Sequence, residues 1–246
     1  MIKVTVITPL YNSEQFISGA ISSVQAQKMS HWEMIVVDDC STDKCPEIVN
    51  SFVEVDSRIK LFRLNDNSGP AVARNFAIKA ASGRFIAFLD SDDQWLPDKL
   101  EKQIDFMIKN DYAFTYTGYE KITESGEKTG NKVCPASRVA YGDLLKSNQI
   151  GCLTAIYDTK RLGKVYMPLI RKRQDYGLWL KILKKIPAAH CLNESLALYR
   201  VRNDSVSSNK LEMVKYNWQL YRKVENLSIT RSAYYLGWNI ARKLRR

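Results

Sequence analysis

Long apolar runs are missing from this 246-residue chain: none reaches the roughly 18 residues that a bilayer crossing requires. The N-terminus also lacks the basic region, apolar block and small-residue cleavage site of a secretory leader, so the chain is expected to remain in the cytoplasm. Cysteine is sparse. Cys40, Cys45, Cys134, Cys152 and Cys191 are odd in number, scattered and without a CxxC pair. That pattern argues against a disulfide framework or a zinc site and leaves reduced packing residues. There is no low-complexity segment, no convincing internal repeat and no linker that would divide the chain. At 45% hydrophobic residues the chain can bury a large core, and one compact domain with appendages is the default for this length.

Acidic residues are outnumbered, 26 against 37 lysines and arginines, for a net charge of +11. Most of the excess sits near the C-terminus, where Lys215 to Arg246 holds eight lysines and arginines against the single acid Glu225. Tyr216, Trp218, Tyr221, Tyr234, Tyr235 and Trp238 are mixed with leucine and isoleucine in the same segment. Cations with interfacial aromatics suit helices laid on an anionic lipid surface. Nucleic acid would attract the same charge, but no nucleic-acid-binding motif is present. The competing structural reading is a helix that packs its aromatics on the domain and turns its cations to water.

The first half of the chain alternates strands with amphipathic helices. Lys3 to Thr8 reads as a strand ending at Pro9-Leu10-Tyr11-Asn12; Ser13 is placed to cap a helix running to about Gln27, with Phe16, Ile17, Ala20, Ile21 and Val24 at helical spacing. Glu33 to Val37 is a second strand closing on Asp38-Asp39-Cys40-Ser41-Thr42-Asp43, followed by a helix through Ile48, Phe52 and Val53. Arg58 to Leu64 is a third, and its loop Asn65-Asp66-Asn67-Ser68-Gly69-Pro70 leads into a helix holding Arg74-Asn75. Four such units predict an α/β fold with a parallel sheet covered on both faces, ligands binding beyond the carboxyl ends of its strands. After Asp111 the alternation ends: Tyr112 to Tyr119 reads as a strand, Thr123 to Glu127 as a turn, and Gly142 to Ser147 as a short helix. Gly151 to Asp158 is another strand, Gln174 to Lys185 a helix, and Ala188 to Val201 a last extended piece.

The fourth strand carries the densest chemistry. Phe85-Ile86-Ala87-Phe88-Leu89 stops at Asp90-Ser91-Asp92-Asp93, which sets three carboxylates in four residues at a sheet edge. Carboxylates this close repel one another unless a positive charge sits among them, and hard oxygen ligands suit Mg2+ or Mn2+. Metal-assisted phosphate chemistry follows as an expectation. Aspartate and serine are also ordinary turn formers, here before the helix that Pro97 opens.

Taken together, these blocks resemble the inverting family 2 glycosyltransferases of the GT-A fold over about Lys3 to Lys210. The resemblance rests on Val6-Ile7-Thr8-Pro9-Leu10-Tyr11-Asn12, Val36-Val37-Asp38-Asp39-Cys40-Ser41-Thr42-Asp43, the Asn67-to-Asn75 stretch, Phe88-Leu89-Asp90-Ser91-Asp92-Asp93 and Gln174-Asp175-Tyr176-Gly177-Leu178-Trp179, in that order. It implies a Rossmann-like, mostly parallel central sheet with helices on both faces, a nucleotide-binding half over 1–110, an acceptor half over 111–210, and a helical tail over 211–246. The implied reaction moves a sugar from a nucleotide diphosphate sugar, a UDP-sugar above all, to an acceptor hydroxyl. The acceptor expected is a lipid-linked saccharide at the inner face of the cell membrane, in surface polysaccharide synthesis.

Residue by residue, the resemblance carries Thr8, Pro9 and Tyr11 to the base pocket, and Asp38 or Asp39 to a base N–H, with Asp39 preferred. Arg74 goes to the base or diphosphate, and Asn67, Gly69 and Ser91 to the donor site. Asp92 is carried to the metal and Asp90 to the ribose or the metal, with Asp93 able to replace either. Asp175 becomes the base that deprotonates the attacking hydroxyl, as inversion by one displacement requires. Trp179 is either an aromatic lining the pocket or a core residue, and Arg171-Lys172-Arg173 is suited to phosphates or lipid headgroups. Many members have a histidine after a Tyr-Arg pair near the end of the domain. Here Tyr199-Arg200-Val201 is followed by Arg202, which cannot ligate a cation but can pair with a diphosphate. Ser205, Val206 and Ser207 match a loop that closes over the donor, and His31 and His190 lie outside every block.

Two other readings compete. A sugar-phosphate nucleotidyltransferase would need a glycine-rich phosphate loop near the N-terminus, and the Pro9-to-Asn12 tip has no glycine. A membrane or nucleic-acid-binding module without activity would have no need of both Asp92 and Asp175.

Overall fold

The computed structural model describes residues 3–202 and 210–244. Its elements are, in order, β1 (Val4–Leu10), α1 (Ile17–Gln25), β2 (Trp32–Asp38), α2 (Cys45–Val55), β3 (Ile59–Arg63), α3 (Pro70–Ala80), β4 (Phe85–Phe88), β5 (Gln94–Trp95) and α4 (Lys99–Lys109). There follow β6 (Phe114–Ile122), β7 (Lys128–Val133), β8 (Arg138–Val139), α5 (Tyr141–Lys146), β9 (Ile156–Asp158), α6 (Thr159–Leu162), α7 (Gln174–Leu183), β10 (Ala189–Arg200), α8 (Lys210–Gln219) and α9 (Ile229–Leu244). A π-type turn, Leu220–Val224, prolongs α8.

The sheet runs β3-β2-β1-β4-β9-β6-β10-β5, with β7 beside β6 and β8 beside β10. Its first four strands are parallel, in line with the alternating pattern. Beyond β4 the sheet is mixed: β9 is antiparallel to both β4 and β6, β10 is parallel to β6, and β5 returns antiparallel along β10. The segment read as a strand from Gly151 begins instead with a 3-10 turn at Cys152–Thr154, and only Ile156–Asp158 pairs.

Two-residue periodicity divides the core. Val4, Val6, Met34, Val36, Phe85 and Ala87 face one side, where they meet Ile17, Ile21 and Val24 of α1 and Leu100, Ile104 and Met107 of α4. Ile7, Ile35, Val37, Ile86 and Phe88 face the other, against Ala73, Ala77 and Ile78 of α3 and Leu178, Trp179 and Ile182 of α7. Strands buried on both faces read as near-continuous apolar runs, which is why β1, β2 and β4 stand out in the sequence. Leu220, Tyr221 and Leu227 belong to the second cluster, so that core draws on all three segments into which the sequence was divided. Tyr221 donates to the Leu145 carbonyl at 2.7 Å, and Lys184 meets the fully buried Glu225 carboxylate at 2.7 Å.

Ser13 does not cap α1 with its side chain, and the helix starts at Ile17. The Ser13 carbonyl takes the Phe16 and Ile17 N–H groups instead, while its hydroxyl donates to the Tyr11 carbonyl and accepts from Ser91.

At the edge opposite the strand tips, one carboxylate ties four segments together. Glu33 of β2 accepts from Thr5 Oγ1 (2.7 Å), Ser82 N (2.7 Å), Ser82 Oγ (2.6 Å) and Lys60 Nζ (2.9 Å). Burial alone would raise its pKa, but the Ser82, Lys60 and Thr5 donors hold it at about 2, below the ordinary 4.5. A carboxylate depressed in the fold stabilises it above its unfolded pKa and loses that contribution as pH falls toward the folded value. Glu33→Gln should therefore cost about 3 kcal/mol at neutral pH. Urea titrations at a series of pH values should show the gap between the two proteins closing from 4.5 to about 2.

Candidate active site

The carboxyl ends of β1, β2 and β4, the end of β10 and the start of α7 surround a cleft of about 1220 Å³. The strand tips beside it are laced together by short polar side chains. Asn12, in a left-handed conformation (φ 44°), accepts the Thr42 N–H at 2.9 Å, and its own N–H donates to Ser41 Oγ at 3.1 Å. Asp39 shapes the third tip: its two oxygens accept the Ser68 and Gly69 N–H groups at 2.7 and 2.8 Å, and its carbonyl accepts from Asn67 Nδ2 at 3.1 Å. Gly69 lies at φ 89°, a posture that favours glycine, and α3 starts immediately after it.

Pro9, Tyr11, Asp39, Asn67, Gly69, Arg74, Asp90, Ser91, Asp92, Arg202 and Asp175 all line this cleft, as a single donor-and-acceptor site would require. Thr8 and Asp38 do not line it. Thr8 is fully buried in β1. Asp38 is turned away: one oxygen accepts the Ser41 N–H at 3.0 Å and the other pairs with Arg63 at 3.2 Å, so it stabilises the turn after β2. Trp179 is likewise a core residue, its ring centroid 5.4 Å from Phe88 and 5.1 Å from Phe114. Tyr11 is half exposed, its ring free to meet a planar ligand. Ser205, Val206 and Ser207 lie outside the described residues.

The Asp-rich tip is neutralised by arginines. Arg74, buried in α3, reaches Asp90 at 2.5 Å, and Arg202 reaches Asp92 at 3.3 Å. Asp93 is buried and accepts the Arg200 N–H at 2.9 Å, which fixes the end of β10 to the tip of β4. The Arg200 guanidinium binds the Asp92 carbonyl at 2.8 Å and the Glu124 carbonyl at 2.7 Å. Both it and Arg202 lie over Phe16, with guanidinium carbons 5.1 and 4.9 Å from the ring. The resemblance assigns no role to Phe16 or Arg200. The one sequence signal for Arg200 is its place two residues before Arg202, a spacing that sets two side chains on the same face of a strand.

Burial, and after it the neighbouring Asp90 charge, raises the Asp92 pKa. Burial and both neighbouring carboxylates raise Asp93 well above the usual range. Asp90 and Asp92 remain partly open to the cleft. Oxygen donors of this kind suit Mg2+ or Mn2+, which are commonly held by one or two carboxylates together with substrate phosphates. No group of three or more His, Cys, Asp or Glu among the described residues is arranged to hold a metal unaided. Asp90 and Asp92 supply the one or two carboxylates that such a cation takes from the protein.

On the facing wall, α7 begins at Gln174 after Arg173, which is left-handed at φ 70°. Gln174 is buried and donates to the Arg171 carbonyl at 2.6 Å. Asp175 stands in the first helical turn, where the backbone N–H groups and helix dipole favour a carboxylate. Burial nevertheless pushes its pKa up, offset in part by the Tyr176 N–H, Arg173 and Arg74. Gly177 seats the helix: a Cβ there would come 2.4 Å from Pro168 Cγ.

With Asp92 occupied by Arg202, the apo site offers a cation little uncompensated charge. Arg202→Gln should strengthen nucleotide-free Mn2+ binding several-fold to about tenfold, read from the free-ion signal by electron paramagnetic resonance. Equal binding by the two proteins would show that the pair does not restrain Asp92.

The description "Glycosyl transferase family 2" fits residues 5–157 of this chain. TuaG of Bacillus subtilis (strain 168), a glycosyltransferase assigned to teichuronic acid biosynthesis, is 45% identical over 231 residues, covering 94% of this chain and 92% of its own. The Escherichia coli enzyme WfgD, a UDP-Glc:α-D-GlcNAc-diphosphoundecaprenol β-1,3-glucosyltransferase, is 43% identical over 237 residues, 96% of this chain and 91% of its own. Among solved structures, Staphylococcus aureus TarS with UDP-GlcNAc superposes with a TM-score of 0.74 at 24% identity, over 95% of this chain and 70% of that one, a likeness of fold. From its five ordered blocks, its sheet and these relatives, the chain belongs to glycosyl transferase family 2.

Proposed function

We propose that the protein transfers a sugar from a UDP-sugar, with inversion, to a hydroxyl of a lipid-linked saccharide during synthesis of a bacterial surface polysaccharide. The observation that carries this reading is a single cleft lined by Arg74, Arg202, Asp90 and Asp92 together with the Asp175 carboxylate, which feels the Arg74 and Asp90 charges. The UDP-Glc donor and diphosphoundecaprenol-linked acceptor of WfgD, and the UDP-GlcNAc bound to TarS, support the donor and acceptor classes.

In this reading Tyr11 meets the base, and Asp39 keeps the Asn67–Gly69 loop in place beside it. Each Asp39 oxygen accepts one backbone N–H and retains a lone pair for a ring N–H. The acceptor hydroxyl gives its proton to Asp175 as its oxygen bonds to the anomeric carbon, and the bond from that carbon to the diphosphate breaks on the opposite face. Arg74 and Arg202 exchange their aspartates for the departing diphosphate, supplying fixed positive charge where negative charge builds. A Mg2+ or Mn2+ ion held by Asp92 and Asp90 would supply further neutralisation of that leaving group when bound. Burial of Asp175 suits a base, because a raised pKa gives it more affinity for the proton it must take.

The surroundings of α9 support attachment to the membrane's inner face. Among the described residues no helix is long and apolar enough to cross a bilayer. Ile229, Tyr234, Trp238 and Ile240 are nevertheless exposed on α9, in the most basic part of the chain. Aromatics beside cations are suited to the interfacial zone.

Calorimetric titration of UDP with and without Mn2+ tests the donor site: binding should require the metal and be lost in Asp92→Ala. Asp175→Asn should retain UDP binding and lose at least ~100-fold in turnover. Since Asp175 works only when ionised, kcat/KM of the wild type should fall on acidification, with a limb above the ordinary aspartate range of about 4. Unchanged turnover in Asp175→Asn would remove it as the base. Tyr234→Ser with Trp238→Ser should weaken binding to anionic vesicles by about tenfold in a flotation assay; undiminished binding would remove α9 as the membrane face.

A further inference from the structure

Apolar and basic groups share the segment that joins α6 to α7. No acidic residue lies between Asp158 and Asp175, whereas Lys160, Arg161, Lys164, Arg171, Lys172 and Arg173 do. Arg161 is paired with Asp111, and Lys172 with Glu212. Lys164 and Arg171 are exposed, and Lys164 donates to the Lys79 carbonyl at 2.7 Å rather than to a carboxylate. Lys181 of α7 likewise donates to the Tyr166 carbonyl at 3.0 Å. Two large apolar side chains stand among these cations with their surfaces turned to water: Leu169 is 73% exposed and Tyr166 41%.

The exposure of Leu169 is built into the turn. Asn75 of α3 accepts the Met167 N–H at 2.8 Å and donates to the Met167 carbonyl at 3.0 Å, so the backbone is fixed just before the apex. Met167 and Pro168 are buried, Pro168 against Gly177 of α7, and the Ile170 N–H returns to the Pro168 carbonyl at 2.9 Å. Leu169 precedes Arg171 by two residues, so their Cα atoms are within about 7 Å, and Arg171 lines the cleft. The apolar tip therefore stands at the cleft mouth. Val55, more exposed still, is a contrast: it closes α2 between Glu54 and Asp56, a setting that an anionic partner would avoid.

We infer that the turn over residues 164–171 docks on an anionic lipid bilayer, with Leu169 and Tyr166 entering the headgroup zone and Lys164 and Arg171 meeting the lipid phosphates. Charge complementarity selects this occupant, since an apolar tip flanked by cations and free of acids matches a surface that is apolar within and negative outside. The contact is distinct from the one proposed for α9 and does not depend on it. It holds the opening of the cleft against the bilayer, where a lipid-linked acceptor would be met.

Flotation with vesicles made of equal parts phosphatidylglycerol and phosphatidylcholine tests the turn. Leu169→Ser should weaken binding about tenfold and Lys164→Gln about fivefold. Both side chains are exposed, so the melting temperature should not change. On vesicles of phosphatidylcholine alone the wild type should bind more weakly, and Lys164→Gln should make no further difference. Leu169→Trp reads insertion directly: brominated phosphatidylglycerol should quench its fluorescence beyond the quenching seen in the wild type. Undiminished vesicle binding by Leu169→Ser, or quenching of Leu169→Trp no greater than that of the wild type, would overturn the turn as a bilayer contact. Comparison with Tyr234→Ser and Trp238→Ser separates the two faces. Weakening by the α9 changes alone overturns the turn and leaves α9, whereas weakening by Leu169→Ser alone leaves the turn and removes α9. A second copy of the chain is the competing occupant: dimers in sedimentation velocity that Leu169→Ser dissolves, with vesicle binding intact, would overturn the bilayer in its favour.

Discussion

Carboxylate crowding is the constraint around which this molecule is organised. Asp39, Asp90, Asp92, Asp93 and Asp175 all reach one cleft, and ionised groups cannot be held this close without compensation. The fold gives each a different kind. Asp39 receives two loop amides, Asp90 and Asp92 one arginine each, Asp93 a strand N–H, and Asp175 a helix terminus. Amides and helix termini are fixed, whereas the Arg74 and Arg202 side chains can exchange partners. The compensation is thus built from backbone groups at Asp39, Asp93 and Asp175 and from side chains at Asp90 and Asp92.

That division depends on a sheet that does not yield. The Glu33 hub clamps β1, β2, β3 and the approach to β4 at the end remote from the cleft, and the two core clusters hold both faces. Phe16 extends this order to the rim, since the same ring lies beneath both the structural Arg200 and the exchangeable Arg202.

The parallel half of the sheet was legible because β1, β2 and β4 are apolar on both faces and end in polar tips, a pattern that leaves few other arrangements. The cleft residues were legible through the same tips and through the resemblance they carried. What escaped depended on partners distant in sequence. Ser13 satisfies the sequence rule for a helix cap, yet its hydroxyl is taken by the Tyr11 carbonyl and Ser91. Asp38 and Asp39 are adjacent and chemically alike, and only the direction of each side chain sends one to Arg63 and the other to the cleft. The mixed half of the sheet was hidden because β5, β8 and β9 are two or three residues long, too short to express a period. Phe16 was counted as one more apolar residue of α1, although it stands before the helix and serves as a cation platform.

The C-terminal helices are part of the enzyme's working surface. Glu212 and Met213 of α8 form cleft wall, and Leu220 and Tyr221 just beyond them are fully buried in the central core. The segment that could seat the protein on a surface is continuous with the one that shapes the cleft mouth. Within this scaffold, grafting the tail of one relative onto the rest of another would therefore also replace part of the cleft wall.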